Sequence, residues 1–297
     1  MDPVIAIHGL TKRFGGKTVL NDLTLTVPRG AICALLGANG AGKTTTIRIL
    51  TGLLKPDRGR ALILGHNCWA MAARLRQVIG YVPERPKFYD WMTVAEIGWF
   101  AAGFHHPRYL PRYEELIVRF DLDPKARLAN LSKGEYAKVG LALALAVDPE
   151  VLILDEPTSG LDLLVRREFL GSMVELAGEG KTIFISSHQV AEVERVASHV
   201  AFLSEGRLLL AAPMDELRER IVRVRLRFES DPPNPRFLGE VLEDRVSGKQ
   251  WQAVVQNPNR AALDVLRRGE DVYDFEETPL ALEEVYCALM GKKERQP

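Results

Sequence analysis

The chain has 297 residues, which is room for one large domain and a smaller one. Hydrophobic residues make up 46% and charged residues 26% of it, proportions typical of a soluble globular protein. Lys plus Arg and Asp plus Glu both total 39, so the formal net charge is +0, without the basic excess expected of a nucleic-acid-binding protein.

The cysteines and the apolar segments restrict where the chain can act. Cys33, Cys68 and Cys287 are far apart and form no Cys-x-x-Cys pair, so we expect buried thiols in a reducing compartment. Residues 1–4 lack the start of a secretion signal. The longest apolar run, at residues 141–147, is far shorter than the roughly 18 residues that span a bilayer. Any role at a membrane is therefore expected to depend on a partner.

The first predicted elements are an antiparallel edge sheet and the start of a parallel sheet. Residues 4–10 and 19–27 alternate polar and apolar side chains, and Gly15 and Gly16 supply a turn between them. Residues 32–36 are wholly apolar, which predicts a buried strand. Residues 44–54 follow a helical pattern.

Beyond these elements the helical pattern dominates before strands resume. We predict a helical subdomain over about residues 94–140 and short apolar strands at 151–154 and 182–186. Continuous apolar strands separated by helices indicate a parallel sheet covered on both faces. The fold class predicted for residues 1–212 is therefore α/β, with an antiparallel edge sheet and an inserted helical subdomain.

Residues 213–297 are predicted to form a small α+β accessory domain, with a ferredoxin-like fold as one candidate. Its predicted elements are an alternating strand at 222–228, a turn at 231–235, a strand at 251–255, a helix at 260–267, a strand at 272–275 and a helix at 280–290. The first strand places Arg223, Arg225 and Arg227 on one face. A solvated strand face is favoured there over a specific binding site.

A glycine-rich segment directly follows the strand at 32–36. It consists of Gly37, Ala38, Asn39, Gly40, Ala41, Gly42, Lys43 and Thr44, which fits G-x-x-x-x-G-K-[ST], and Thr45 is counted with it as a binding residue. The glycines let backbone N–H groups converge on phosphates, and the positive end of the following helix dipole faces the same anion. Lys43 adds charge at the β- and γ-phosphates, and the Thr44 hydroxyl can bind Mg²⁺. The segment predicts a nucleoside triphosphate site.

Two adjacent carboxylates, Asp155 and Glu156, follow the strand at 151–154. Ligands of open α/β sheets bind at the carboxyl ends of the strands. Asp155 is suited to hold Mg²⁺, and Glu156 to activate water for attack on the γ-phosphate. Alone, such a pair could equally be structural; beside the phosphate loop it predicts hydrolysis.

These two motifs and five further segments resemble the ATP-binding cassette (ABC) ATPases over residues 4–212. The further segments are Phe14, residues 81–84 (Tyr-Val-Pro-Glu), residues 131–135 (Leu-Ser-Lys-Gly-Glu), residues 159–162 (Ser-Gly-Leu-Asp) and residues 186–188 (Ser-Ser-His). By resemblance they correspond, in that order, to the adenine-stacking aromatic, the loop that usually carries Gln, the signature, the dimer-contact loop and the switch histidine. The resemblance implies a P-loop NTPase core that binds ATP and Mg²⁺.

The resemblance also implies a mechanism shared between two copies. The phosphate loop of one subunit would face Ser132 and Gly134 of the other, so that two ATP molecules are enclosed. His188 would bridge the γ-phosphate and Glu156, and Asp162 would couple the two sites.

Two departures from the family pattern affect the expected chemistry. Glu84 replaces the usual Gln; a carboxylate can serve the metal but adds negative charge beside the phosphates, which predicts slow hydrolysis or altered coupling. In the signature, Lys133 replaces Gly and Glu135 replaces Gln. Because Glu156 and His188 are both present, a competent ATP site is expected.

The function predicted is the ATPase subunit of an ABC transporter. Its partners would be a separate integral membrane permease and a second ATPase subunit, with a homodimer favoured, on the cytoplasmic face of the cell membrane. Residues 213–297 resemble the appendage of exporter-type members, which favours export. The alternatives are a cytosolic ABC ATPase that acts on ribosomes or DNA, which the balanced charge disfavours, and a nucleotide sensor without turnover.

The segment 85–113 is rich in aromatic residues, namely Phe88, Tyr89, Trp91, Trp99 and Phe100. Most of them are expected in the core of the helical subdomain. The alternative is that some line a groove for a helix of the permease, since aromatic side chains anchor interfaces.

Overall fold

The computed structural model describes residues 3–230 and 232–295. Residues 1, 2, 296 and 297, at the outer ends of the two predicted domains, and Asp231, in the predicted turn, lie outside the described part. The chain separates into two compact units, one up to Ala211 and one from Ala212 onward.

The strands and helices follow one another along the whole described chain. The strands are β1 (Ile5–Phe14), β2 (Lys17–Val27), β3 (Ile32–Leu36), β4 (Arg58–Ile63), β5 (His66–Asn67), β6 (Ile79–Val82), β7 (Val151–Asp155), β8 (Thr182–Ser187), β9 (His199–Ser204), β10 (Arg207–Pro213), β11 (Ile221–Phe228), β12 (Glu240–Ser247), β13 (Gln250–Gln256) and β14 (Val272–Pro279). The helices are α1 (Lys43–Leu50), α2 (Ala72–Leu75), α3 (Val94–Ala102), α4 (Tyr109–Arg119), α5 (Lys133–Leu145), α6 (Leu163–Gly178), α7 (Val190–Val193), α8 (Met214–Arg220), α9 (Arg260–Arg267) and α10 (Leu282–Arg295).

The first unit combines an antiparallel sheet with a mainly parallel one. Among the described residues, the orders are β2-β1-β4-β5 and β10-β9-β3-β8-β7-β6. β1 and β2 pair antiparallel around Gly15 and Gly16, whose φ angles are 51° and 84°. β9, β3, β8, β7 and β6 run parallel, so their carboxyl ends meet at one edge of the sheet. The predicted α/β fold with an antiparallel edge sheet is confirmed.

Helix α1 is shorter than the pattern at 44–54 predicted. It ends at Leu50, and Gly52 turns the chain with a φ of 68°. The amide of Gly52 donates to the carbonyl of Ile49 at 3.1 Å, and the amide of Leu53 donates to that of Arg48 at 2.8 Å. These paired bonds are those of a glycine C-cap, which stops a helix even where apolar residues continue.

A capped helix start and a close contact between α3 and α4 define the first part of the predicted helical subdomain. Thr93 caps α3: its hydroxyl accepts from the amide of Glu96, and the Glu96 carboxylate accepts from the amide of Thr93. Gly98 brings α3 close to α4, because a Cβ there would lie 2.0 Å from the ring of Tyr113. The Tyr113 hydroxyl donates to the carbonyl of Val94 at 2.7 Å, which fixes the two helices together.

The expectation that most aromatic residues at 88–100 are buried is wrong. Phe88 packs on Tyr136 with ring centroids 4.8 Å apart, but the others are between 38% and 69% exposed. The subdomain core is built instead from aliphatic side chains with Tyr109 and Tyr113. The exposed rings of Tyr89, Trp91, Phe100 and Phe104 contact one another at centroid distances of 5.5–5.9 Å, and the exposed Trp99 precedes Phe100 on α3. We call these exposed residues the aromatic patch: Tyr89, Trp91, Trp99, Phe100 and Phe104.

The second unit is a sheet in the order β12-β13-β11-β14 with α9 and α10. Trp251 is 1% exposed within its core, and its Nε1 donates to Asp244 at 2.7 Å. Strand β12 was not predicted, because Leu242 is its one fully buried residue and apolar alternation is missing. Helix α10 runs to Arg295 rather than ending at 290. Cys287 on this helix is exposed, so the expectation of buried thiols holds for Cys33 and Cys68 but is wrong for Cys287.

The three arginines of β11 do not share one environment. Arg223 has a side-chain exposure of only 17% and pairs with Glu284 at 2.8 Å. Arg225 Nε donates to Gln252 at 2.8 Å, while Arg227 has a side-chain exposure of 59%.

Within residues 3–230 and 232–295, no helix is long and apolar enough to cross a bilayer.

Candidate nucleotide-binding site

The glycine loop between β3 and α1 closes around its own lysine. Lys43 Nζ donates to the carbonyl of Gly37 at 2.7 Å and to that of Ala38 at 3.3 Å. Gly42 has a φ of 110°, a backbone conformation that residues with a Cβ rarely adopt. A Cβ at Gly37 would lie 2.4 Å from the carbonyl oxygen of Leu203, so glycine is required there on steric grounds. The loop is therefore a tight backbone cradle that leads into a helix N-terminus.

Thr44, Asp155 and Ser186 connect α1 to the edge of the parallel sheet. Thr44 Oγ1 donates to Asp155 Oδ1 at 3.3 Å, and Ser186 Oγ donates to the same oxygen at 2.7 Å. The parallel register of β7 and β8 places Asp155 beside Ser186. Burial raises the pKa of Asp155, the two hydroxyl hydrogen bonds lower it, and the negative charges of Glu156 and Glu84 raise it further.

Thr44 and Asp155 suit a magnesium ion. Mg²⁺ prefers oxygen ligands, and in nucleotide sites it takes one or two from the protein and the others from phosphate and water. Two such protein oxygens lie 3.3 Å apart here, and the carboxylate of Glu84 lines the same cleft. The described residues contain no group of three or more His, Cys, Asp or Glu that could hold a metal. The donors present fit an ion that is shared with the phosphates of a nucleotide.

Glu156 is held by the backbone of β8 on one side and by two side chains on the other. Its φ is 47°, in the left-handed region, and its amide donates to the hydroxyl and carbonyl of Ser186 at 2.9 and 3.2 Å. Lys43 Nζ lies 3.0 Å from Glu156 Oε1, as an ion pair whose angles fall outside those of a hydrogen bond. His188 contacts Oε2 twice, through its amide at 3.2 Å and through Nδ1 at 2.8 Å. Glu156 therefore links the glycine loop to the histidine.

Most of the predicted residues meet in one cleft of about 520 Å³. Its lining is Val19, Asn39, Gly40, Gly42, Lys43, Thr44, Thr45, Glu84, Arg85, Glu156, Ser159 and His188. Gly37 and Ala41 are buried outside this lining, and Ala38 is exposed. Asp155 is 1% exposed and is joined to the cleft by its hydrogen bond from Thr44.

Not every residue of the cleft belongs to a sequence motif. Val19 and Arg85 lie in the lining without belonging to any motif. Ser186 was noted only as part of Ser-Ser-His, and its bonds to the acid pair depend on the register of β7 with β8. That register follows from three-dimensional pairing rather than from a local pattern.

Phe14 lies outside the described lining of the cleft. It is the last residue of β1, directly before the hairpin turn, and it is 48% exposed. Lys12 Nζ lies 5.3 Å from the centroid of its ring. The ring is therefore accessible, and its predicted stacking on adenine stays a prediction.

Ser132, Gly134 and Asp162 belong to helix starts rather than to the described lining of the cleft. The Ser132 hydroxyl accepts from the amide of Glu135 at 3.2 Å. The hydroxyl and the backbone amide of Ser132 both donate to the Glu135 carboxylate, at 2.7 and 2.8 Å, and these two bonds lower the pKa of Glu135. Gly134 is buried against α6, where a Cβ would lie 2.8 Å from a methyl group of Val165. Asp162 caps α6 by accepting from two amides of its first turn at 3.0 Å each.

Comparison with known proteins agrees with this geometry. The ABC transporter family profile matches residues 20–159. The bacitracin transport ATP-binding protein BcrA of Bacillus licheniformis is 39% identical over 224 residues, which cover 74% of this chain and 73% of that protein. The Nod factor export ATP-binding protein I of Burkholderia lata is 33% identical over 303 residues, with 97% of each chain covered. A solved ATP-binding subunit of an ABC transporter has a TM-score of 0.67 at 32% identity and covers 73% of this chain and 92% of its own.

A strand, a glycine loop and a helix, with an acid pair at the end of another parallel strand of the same sheet, form the arrangement of P-loop nucleoside triphosphatases. Within that class, the chain belongs to the family of ABC transporter ATP-binding proteins. Membership implies that it binds and hydrolyses ATP and that it has a membrane partner. The predicted transporter ATPase is confirmed, and the alternative of a ribosome- or DNA-directed ATPase has no support.

Proposed function

We propose that the chain hydrolyses magnesium-bound ATP to drive export through a separate membrane permease, as one half of a homodimer. The observation that carries the proposal is Glu156, which contacts the lysine of the glycine loop and His188 in one cleft. The names of the relatives support export, since one is a bacitracin transport protein and another a Nod factor export protein.

Thr44 and Asp155 would hold the magnesium ion, and Glu84 would act as a further acidic ligand. When bound, the ion supplies positive charge that neutralises the β- and γ-phosphates. The hydrogen bond between Thr44 and Asp155 supports this role, because it holds the two oxygen donors together.

Glu156 would act as the general base in hydrolysis. Phosphate oxygens compete with Glu156 for Lys43, since both are anions within reach of the same Nζ. Once Lys43 binds phosphate, the Glu156 carboxylate accepts the proton of the attacking water. His188 keeps the carboxylate oriented through its two contacts with Oε2.

A second copy of the chain would complete the site with its own signature segment. The N-terminus of α5 presents the Ser132 hydroxyl and the positive end of a helix dipole, which suit a γ-phosphate. The loop at 159–162 would contact the partner and couple the two sites through Asp162. No nucleic acid partner is proposed, in keeping with the net charge of +0.

The permease would dock on the helical subdomain, which places the chain on the cytoplasmic face of the membrane. The aromatic patch leaves large rings exposed in mutual contact, a feature of interaction sites. A mainly apolar groove of about 320 Å³ adjoins it at Ala101, and Leu53, Tyr81 and Leu143 line this groove. A helix of the permease is the occupant proposed for the groove.

The proposal is tested by two measurements on the purified chain and its host membranes. ATP turnover is measured with Mg²⁺ and with EDTA, and the tagged chain is recovered from detergent-solubilised membranes. Turnover that requires Mg²⁺, together with a co-purified integral membrane protein, is the expected result. Recovery with ribosomes and no membrane protein, or turnover unaffected by EDTA, would contradict the proposal.

A further inference from the structure

Arg166 joins three segments around the nucleotide cleft. Its Nη2 donates to the carbonyl of Leu161 at 2.8 Å, and its Nη1 donates to Gln189 Oε1 at 2.8 Å. The same Nη1 also forms an ion pair with Glu192 Oε1. One guanidinium group therefore holds the loop at 159–162, the residue after His188 and helix α7 together.

The arrangement follows from local chain geometry on α6. Asp162 caps the helix, and the amide of Arg166 donates to the carbonyl of Asp162 at 3.0 Å, one turn further on. This spacing lets the side chain of Arg166 return to Leu161, next to its own helix start. The side chains of Arg166 and Glu192 are only 21% and 17% exposed, so their attraction is weakly screened by solvent.

The remaining contacts of the ion pair lead towards Glu156, the proposed general base. Glu192 Oε2 accepts from Thr158 Oγ1 at 3.3 Å, two residues after Glu156. Gln189 follows His188, whose amide and Nδ1 both contact Glu156 Oε2. A shift of the loop at 159–162 can therefore reach His188 through two hydrogen bonds of Arg166, one to the Leu161 carbonyl and one to Gln189.

We propose that Arg166, with Glu192, is a positioning residue that couples the dimer-contact loop to His188. The inference rests on the proposed function, in which a second copy presses on residues 159–162. The planar guanidinium binds several acceptors in fixed geometry, which a lysine ammonium does not reproduce. Movement of the Leu161 carbonyl reorients Arg166, and Arg166 in turn moves Gln189 and the histidine before it.

The test uses Arg166→Lys and Glu192→Gln in the full chain. Both variants keep a polar side chain of similar size. Arg166→Lys keeps the charge but loses the planar group that reaches several acceptors, and Glu192→Gln removes the charge of the ion pair. We expect kcat for ATP to fall about tenfold, which corresponds to about 1.4 kcal/mol in the barrier, while KM for ATP stays within twofold of wild type. Arg167→Lys is the matched control, because Arg167 is the exposed neighbour on the same helix and should leave kcat unchanged.

A double-mutant cycle with His188→Ala separates positioning from a general structural effect. If Arg166 acts through the histidine, Arg166→Lys lowers kcat no further in the His188→Ala background. Losses that multiply, or a kcat equal to wild type in both single variants, would overturn the inference. The outcome is distinct from failure of the proposed function, which would appear as undiminished turnover in Glu156→Gln whatever residue 166 is.

Discussion

Lys43 of the glycine loop lies 3.0 Å from the carboxylate of Glu156, so the proposed phosphate-binding cation and the proposed general base form an ion pair with each other. Both side chains are at least 90% buried, with exposures of 6% and 10%. Nucleotide binding and activation of the base are therefore linked, because a phosphate that attracts Lys43 also changes the surroundings of Glu156.

Replacement of Glu156 by Gln should leave ATP binding intact and nearly stop hydrolysis. General bases contribute on the order of 10²- to 10⁴-fold to rate, so turnover should fall by at least about 100-fold. Trapped ATP should hold two copies together, visible as a dimer in size-exclusion chromatography. Glu168→Gln is the control, since Glu168 is a surface acid with 64% side-chain exposure. Normal turnover in Glu156→Gln would falsify the assignment of the base.

Replacement of Lys43 by Ala should weaken both nucleotide binding and the fold. Loss of a charge-assisted phosphate contact predicts at least about tenfold lower affinity for ATP in a calorimetric titration. The buried carboxylate of Glu156 also loses its cation, which should lower the free energy of unfolding by about 1–3 kcal/mol. In the double variant Lys43→Ala/Glu156→Gln, stability should recover while affinity stays low. Recovery of both quantities would show that Lys43 is not a phosphate ligand.

Glu84→Gln should raise ATP turnover, because it removes negative charge beside the phosphates. The charge of Glu84 contributes to the raised pKa of Asp155, so Gln at this position lowers that pKa. Protonation of Asp155 competes with magnesium as pH falls, and the acid limb of the pH–rate profile should therefore move to lower pH. Glu175→Gln removes a surface acid outside the described lining of the cleft and serves as control. A marked loss of turnover would show that the acid at 84 is needed.

Substitutions in the aromatic patch should separate permease binding from ATP binding. Trp91→Ser and Trp99→Ser should reduce recovery of the membrane partner several-fold, because large aromatic side chains supply much of the energy of interfaces. ATP binding by the isolated chain should stay unchanged. Trp69→Ser is the matched control, since Trp69 is 45% exposed and lies outside the patch. Equal losses in all three variants would argue against docking at the patch.

Asp148 should make stability depend on pH. Lys181 and Arg112 lower its pKa below the unfolded value, so its contribution is present above about pH 4 and is lost as pH falls through the folded pKa. The test variant is Asp148→Asn, because asparagine tolerates the left-handed φ of 55° at this position but lacks the charge. Since the side chain is 53% exposed, we expect a loss of only a few tenths of a kcal/mol at pH 7. In urea unfolding, the difference in unfolding free energy between wild type and Asp148→Asn should shrink below pH 4. A difference that grows on acidification would contradict the assignment.

The core sheet and the glycine loop could be predicted because their signals are local. Residues 32–36 are wholly apolar and are followed at once by the loop, and the structure places β3 at Ile32–Leu36. The end of α1 was missed although Gly52 signalled it, since apolar spacing continued through Leu53 and Leu54. β12 carries mostly exposed polar residues, so its pairing with β13 had no pattern to reveal it.

The contacts within the site depend on distant parts of the chain. Residue types and order identified Glu156 and His188, but not the 2.8 Å contact between them. The ion pair of Arg166 with Glu192 left no motif in the sequence, because the two residues meet only after α6 and α7 pack. Exposure of the aromatic patch was also missed, since hydrophobicity alone does not distinguish a buried ring from an exposed one.

Glu156 combines its carboxylate with a left-handed backbone, a conformation that costs a residue with a side chain about 1–2 kcal/mol. Glycine would relieve that cost, and it would also remove the carboxylate proposed to deprotonate water. Engineering for heat resistance should therefore leave position 156 alone and look to other parts of the chain, because a more stable backbone there is expected to come at the loss of turnover.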